Sequence, residues 1–496
     1  MLSPKLLQRE RMSTVDTAWL RMDSGGNLMM IVSVLMFDRP LDLARFKRTM
    51  KQRFLSYGRF RSRVVQDLTG AWWEEQEVDL DHHIVQTRLT AKKGASNKPA
   101  LEALVGELSA TALDPDQPLW QMHLVDNCVG NDGGVRQAVI IRIHHCIADG
   151  IALVGVLLSM FDAARDTSLA VDEDADENAD ENAEDTFTGD EDNPWGELLQ
   201  PVTRAGIQAI NLSTSMMTKY LWAMAESNHL IARFADMAQI GGKLTQDAVK
   251  LVAMTEDSRT RLKGVPQGAK RVAWSEPLPL ADIKIVGKVF GASINDLLMS
   301  SVAGAIGAYL RDKGDTVPED TELRAMVPVN LRKSSRREKL GNAFGLVPLV
   351  LPVGIEDPLA RLAEVHARMG ELKGGYQALV AMAVLGVLGA TPRQVQNEIQ
   401  NYFARKATAV MSNVPGPQAP LYLAGSRLDQ IMFWVPQSGD IGVGVSILSY
   451  NGGVQFGIVV DEAIADDPEQ IIERFAPEFE KLVLLALMSE WPDGAS

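Results

Sequence analysis

The sequence predicts an α/β protein of two large lobes, and three observations carry that expectation: chain length, alternation of short branched strands with helices, and one acidic tract that divides the two halves. At 496 residues the chain exceeds a single core, since domains average roughly 150 residues. Hydrophobic residues make up 46% and charged residues 23%, the balance of a chain that buries a large core rather than one that stays disordered or crosses a membrane many times. Net charge is −15, yet residues 172–192 hold twelve Asp or Glu and no Lys or Arg, so the remainder carries only −3. Such a near-neutral body has no basic field to hold nucleic acid.

The elements follow in order. In an N-terminal lobe, residues 1–168, the apolar run 29–37 (MMIVSVLMF) reads as a buried strand, 43–54 as a helix, and 73–78 and 138–143 as strands. Helices at 101–109 and 151–164 complete that lobe. Residues 169–194, with repeated Asp-Ala-Asp-Glu-Asn-like units, lack the apolar side chains that would offset the entropy of ordering. They read as a disordered acidic linker. Residues 195–260 carry helical periodicity with few breakers and read as a crossover between lobes.

The C-terminal lobe, 261–496, resumes the α/β texture. Residues 271–274 read as a strand and 280–289 as a helix, and Ser293-Ile294-Asn295-Asp296 has the Ser-x-x-Asp form of a helix cap, opening a helix to about Arg311. Strands follow at 323–329, 344–353, 407–412, 431–435, 442–448 and 454–460, and a helix at 468–487 closes the fold.

Chemistry concentrates in Ile141-Arg142-Ile143-His144-His145-Cys146-Ile147-Ala148-Asp149-Gly150. A strand end followed by a turn holds a side chain rigidly toward a cleft. A neutral imidazole there can take a proton from an alcohol or amine attacking an acyl carbonyl. No G-x-S-x-G nucleophile elbow is present, which favours direct transfer over an acyl-enzyme. Asp149 either orients the ring or pairs with an arginine to fix the loop, and the second role is the one expected. Two adjacent histidines also suit a metal, but seven histidines and two cysteines form no zinc spacing, so no metal is expected. His82-His83 lacks the downstream Asp-Gly and reads as packing, as does Cys146.

The His-His-x-x-x-Asp-Gly motif, with Pro118-Leu119-Trp120 before it and Ser293-Ile294-Asn295-Asp296 after it, resembles the bacterial wax ester synthase/acyl-CoA:diacylglycerol acyltransferase family. Met326-Val327-Pro328-Val329-Asn330-Leu331-Arg332, Gly341-Asn342 and Ser412-Asn413-Val414-Pro415-Gly416-Pro417 extend the resemblance in the family's order across nearly the whole chain, and the acidic insertion is the main departure. The first motif alone is shared across the chloramphenicol acetyltransferase-like superfamily, condensation domains included. The resemblance implies two chloramphenicol acetyltransferase-like lobes of mixed sheet and helices with a channel between them. Acyl-CoA would enter from one face, and diacylglycerol or a long-chain fatty alcohol from the other. It makes His145 the general base, His144 its supporting neighbour, Asp149 the structural acid and Gly150 the turn. Asn295 would position substrate or the oxyanion while Asp296 caps its helix, and Pro118, Leu119 and Trp120 would shape the wall. Arg332 would pair with Asp149. The implied reaction needs no cofactor, with acyl-CoA as co-substrate.

Two basic stretches bear on the donor: Arg45, Lys47, Arg48, Lys51, Arg53, Arg59, Arg61 and Arg63 without an acid, and residues 332–339 with five basic residues against Glu338. Either could meet coenzyme A phosphates or an anionic lipid surface, or remain a solvated face. The thirteen-residue apolar run 378–390 is short of the roughly 20 residues that span a bilayer, and charges near the N-terminus interrupt the apolar core a signal peptide needs. The expectation is a cytoplasmic protein bound peripherally to the inner membrane or lipid inclusions. Rival readings are a condensation-type enzyme using a carrier-protein thioester, and a noncatalytic lipid-binding protein of the same fold.

Overall fold

The structure, a computed structural model, describes residues 9–68, 70–90, 96–130, 134–165, 253–331, 340–372, 380–381, 384–385 and 393–489. Before residue 166 its strands are β1 (Arg9–Arg11), β2 (Met30–Phe37), β3 (Ser62–Asp67), β4 (Gly70–Glu75), β5 (Ile84–Arg88), β6 (Trp120–Val129) and β7 (Val135–His144). After it come β8 (Lys270–Trp274), β9 (Leu278–Pro279), β10 (Leu323–Asn330), β11 (Phe344–Leu351), β12 (Ala409–Pro415), β13 (Tyr422–Leu423), β14 (Ser426–Trp434), β15 (Val443–Tyr450) and β16 (Gly453–Asp461). The acidic tract, the 195–260 crossover up to residue 252, Arg332 with the rest of its basic stretch, and most of the 378–390 run lie outside the described residues.

Two mixed sheets form the lobes. One has the order β13-β14-β2-β7-β6-β5, the other β11-β10-β12-β15-β16-β8 with β9 also on β16, and a small β1-β4-β3 sheet flanks the first. Parallel neighbours need a crossover connection, and both lobes supply one. Between parallel β5 and β6 the chain runs through the helix Lys98–Ala110. Between parallel β12 and β15 it leaves its own sheet, lays β13 and β14 into the other lobe with β14 antiparallel to β2, and returns. Pairing therefore crosses the division at residue 261 expected from sequence, because residues 422–434 complete the N-terminal sheet.

Local chemistry accounts for the element ends that frame the site. Gly291, at φ 62°, supplies the left-handed residue that stops the helix Leu280–Phe290. The next helix, Ile294–Asp312, opens on a full capping box, Ser293 Oγ accepting the Asp296 N–H and Asp296 Oδ2 accepting the Ser293 N–H. The expected 151–164 helix ends at Met160, after which Asp162 bridges Tyr422. The 73–78 strand is Gly70–Glu75 instead. Among the described residues no single helix is long and apolar enough to cross a membrane.

Candidate active site

β7 ends at His144, and the turn after it carries the motif. Both backbone polar groups of His145 are tied: its N–H donates to the Met29 carbonyl at 2.7 Å, and its carbonyl accepts Asn342 Nδ2 at 2.8 Å. Its ring lies nearly parallel to the Trp19 indole, centroids 4.2 Å apart at 18°, with Phe344 at 5.4 Å. His145 Nδ1 is buried without a hydrogen-bond partner. Burial lowers its pKa to about 4, against the pull of the Asp149 carboxylate and its own carbonyl. The ring is thus neutral at physiological pH and keeps a lone pair.

His144 is held differently. Its Nδ1 accepts the Cys146 N–H at 3.1 Å, which requires a lone pair there and puts the ring proton on Nε2, 3.3 Å from Asp23 Oδ2. Its backbone N–H donates to the Leu119 carbonyl, so buried Pro118-Leu119-Trp120 abuts the motif from β6. Cys146 is a buried thiol. His83 is a packing residue, as expected: it stacks on Trp120 at 4.2 Å and its Nδ1 bonds the Trp120 carbonyl.

Asp149, 4% exposed, ties the turn to both lobes. Its Oδ1 accepts the Ala152 N–H at 2.9 Å as N-cap of the helix Gly150–Met160, and its Oδ2 accepts the Ala343 N–H at 2.9 Å. Its backbone N–H donates to the Gly341 carbonyl. The Gly341-Asn342 segment thus braces the histidine turn. The expected Asp149 to Arg332 pair lies outside the described residues. Gly150 has no positive φ. A Cβ there would meet nothing within 4 Å, so the turn does not demand glycine, and what its absent side chain leaves is open space.

That space belongs to a narrow apolar cleft between the helix Gly150–Met160 and the sheets. Its walls include Ile31, Ile143, Gly150, Leu157, Phe433 and Tyr450, and Val414, Gly416 and Pro417 from the second lobe close it. Asn295 sits at the start of its buried helix with Oδ1 accepting Asn413 Nδ2 at 2.5 Å, while its own Nδ2 is buried without a partner. Asp296 Oδ2 also faces His366 Nδ1 at 2.8 Å. The structure therefore joins the histidine motif to Gly341-Asn342, and Asn295 to Asn413.

Sequence reasoning missed Asp16, Trp19 and Asp23. Buried Asp16 pairs with Arg59 at 3.0 Å and accepts Asn342 Nδ2 at 2.8 Å, and Arg59 donates to the Ile147 carbonyl. The Ser13 cap of the helix Thr14–Arg21, which carries Asp16 and Trp19, was the one local signal. The basic stretch 45–63 finds acidic partners elsewhere in the chain. Arg45 and Arg53 pair with Asp162, Lys47 with Asp81, Arg59 with Asp16, Arg61 with Glu75 and Arg63 with Glu74. Six of its eight cations are thus matched by acids outside the stretch.

Residues 12–298 match the wax ester synthase/diacylglycerol acyltransferase catalytic domain, and residues 340–483 match the C-terminal domain of the same family. The chain is 25% identical over 491 residues to a probable diacylglycerol O-acyltransferase of Mycobacterium tuberculosis, covering 96% of each. It is 28% identical over 425 residues to another putative diacylglycerol O-acyltransferase of that organism, covering 83% of this chain and 77% of the relative. Among solved structures it resembles a wax ester synthase/diacylglycerol acyltransferase from Marinobacter aquaeolei VT8, with TM-score 0.65, 18% identity, and 96% and 99% of the two chains covered. A trichothecene 15-O-acetyltransferase from Fusarium sporotrichioides follows at TM-score 0.58 and 12% identity, over 96% and 95%. These likenesses show the two-lobed chloramphenicol acetyltransferase-like fold.

Proposed function

We propose, from the premise that the chain belongs to the wax ester synthase/diacylglycerol acyltransferase family and is an acyltransferase, that it moves a long-chain acyl group from acyl-CoA to diacylglycerol or a long-chain fatty alcohol. The observation that carries this reading is a neutral, rigidly held histidine on a turn whose flanking residues Ile143 and Gly150 line an apolar cleft. His145 takes the acceptor hydroxyl proton as the oxygen attacks the thioester carbonyl carbon. The C–S bond then breaks, coenzyme A leaves as the thiolate, and the proton passes from the imidazolium to that sulfur. No covalent enzyme intermediate, metal or cofactor enters the balance. Asn295 Nδ2, a buried donor without a partner, is the group we assign to the carbonyl oxygen as it gains charge.

The cleft suits the acyl chain, because its walls offer almost no polar group that chain would leave unpaired. His144, Asp149 and Gly341-Asn342 hold the turn. Because both acceptors are water-insoluble, the reading includes peripheral association with an inner membrane or lipid inclusion in the cytoplasm. The test supplies purified protein with palmitoyl-CoA and either hexadecanol or dioleoylglycerol, follows thiol release, and identifies products by chromatography beside His145→Ala. Ester formation that falls about 10²-fold or more in a folded variant is the expected result. Near-normal turnover in that variant overturns the base assignment, and no ester with either acceptor overturns the substrate class.

A further inference from the structure

We propose that Trp19 is the positioning residue of the base: the face of its indole, rather than its N–H, holds the His145 imidazole in its working orientation and keeps water from it. The proposal rests on the reading of His145 as general base. It starts from a contrast inside the molecule. Two histidines stack on tryptophans at 4.2 Å, His83 on Trp120 and His145 on Trp19. In the first pair each ring is also pinned by a hydrogen bond, His83 Nδ1 with the Trp120 carbonyl and Trp120 Nε1 with the Phe60 carbonyl. In the second, Trp19 Nε1 and His145 Nδ1 are both buried without partners.

An unsatisfied buried N–H weakens the fold, so Trp19 is not kept for that group. Its orientation comes from the helix that carries it. That helix is capped by Ser13, tied to Arg59 and Asn342 through Asp16, and held by Gln396 Nε2 donating to the Ala18 carbonyl at 2.9 Å. Both halves of the chain thus fix the indole, and the indole with Phe344 fixes the ring. Among the described residues, the charged and titratable groups around His145 are Asp149, His144 and Cys146 on its own loop, Asp23 through His144, and Asp16 with Arg59 through Asn342. Replacing Trp19 leaves every one of them in place. Its effect on the base is therefore desolvation and orientation.

The experiment compares wild type, W19F, W19L and H145A by circular dichroism and by kcat and KM against pH with palmitoyl-CoA and hexadecanol. W19F retains a flat face and sheds the unpaired N–H, so it keeps most of the activity and the wild-type acid limb. W19L fills volume without a plane. Water and ring rotation follow, kcat falls about a hundredfold, and the acid limb moves up from about 4 toward the ordinary 6.5. A merely structural role would lower the folded fraction without moving the limb. Folded W19L with the wild-type kcat and limb overturns the proposal, and so does W19F as impaired as W19L, which would assign the role to the N–H. Should W19L fail to fold, W19F alone decides on the same terms. H145A separates the two ideas: an active, folded H145A removes the base and Trp19's role with it, whereas an inactive H145A beside an unaffected W19L removes only Trp19.

Discussion

Asp149→Ala separates a structural carboxylate from a chemical one. The carboxylate accepts two backbone N–H groups, Ala152 and Ala343, each at 2.9 Å, from a position 4% exposed. Removing an N-cap costs about 1 kcal/mol, and losing a hydrogen bond to a charged group costs about 1.5–3 kcal/mol. The variant therefore loosens the turn by about 3 kcal/mol, roughly a hundredfold in local opening. Hydrogen–deuterium exchange read by mass spectrometry reports it: peptides spanning 147–153 and 340–345 exchange about a hundredfold faster, while those in β15 and β16 do not change. Asp149→Asn sits between, because its amide oxygen still accepts one N–H while its NH₂ faces the other. Turnover falls with the loss of order in both variants. If turnover in D149A collapses while exchange at those two peptides stays within threefold of wild type, Asp149 acts on the reaction directly and the bracing argument fails.

Two further outcomes follow from the same geometry. Because burial lowers the His145 pKa to about 4, the base is neutral above that value, so kcat/KM stays flat as pH falls from 8 to 5 and drops only through about 4. A limb centred near 6.5 would contradict it. The unfolded ring titrates near 6.5 and so binds the proton first, which means that stability falls as pH drops from 6.5 toward 4. Gly150→Leu projects into open cleft rather than into protein. Its thermal unfolding should change by less than about 1 kcal/mol while palmitoyl-CoA turnover falls far more than hexanoyl-CoA turnover, and an equal loss for both donors would remove the cleft as acyl site.

Wherever a residue's partner lay close in sequence, the sequence was readable. The Ser293 to Asp296 box joins residues three apart, and strands such as β2 and β16 declare themselves through largely apolar runs buried on both faces. The histidine turn was legible for the same reason: strand, turn and cap are contiguous. Its surroundings were not. Trp19 lies 126 positions from His145 and Asn342 lies 197 away, and no local period distinguishes Trp19 from an ordinary core aromatic. The partners of the basic stretch 45–63 were hidden for the same reason, since Asp162, Asp81, Glu74 and Glu75 reach those arginines and lysines only through the fold. β14 was recognised as a strand, but a strand's propensity does not say which sheet receives it.

The destination of β14 explains why a site of this kind needs the whole chain. Taken alone, the N-terminal half has β2 as an open edge, its backbone paired with β7 on one side only. β14 covers that edge through the 434-to-32 register and carries Phe433 and Ile431 into the cleft wall. The second lobe also supplies the Gly341-Asn342 brace under the histidine turn and the Val414, Gly416 and Pro417 side of the cleft. A tight seam joins the lobes elsewhere. A Cβ at Gly106, on the helix Lys98–Ala110, would stand 2.3 Å from the Lys270 carbonyl at the start of β8, so helix and strand meet backbone to backbone with no room for a side chain. The same contacts that unite the lobes thus shape the base, its turn and its cleft. Sliding one sheet against the other would strain the chain where it passes from β12 into β13 and from β14 into β15, and would withdraw the brace from His145 at once, which ties the geometry of the base to the integrity of the seam.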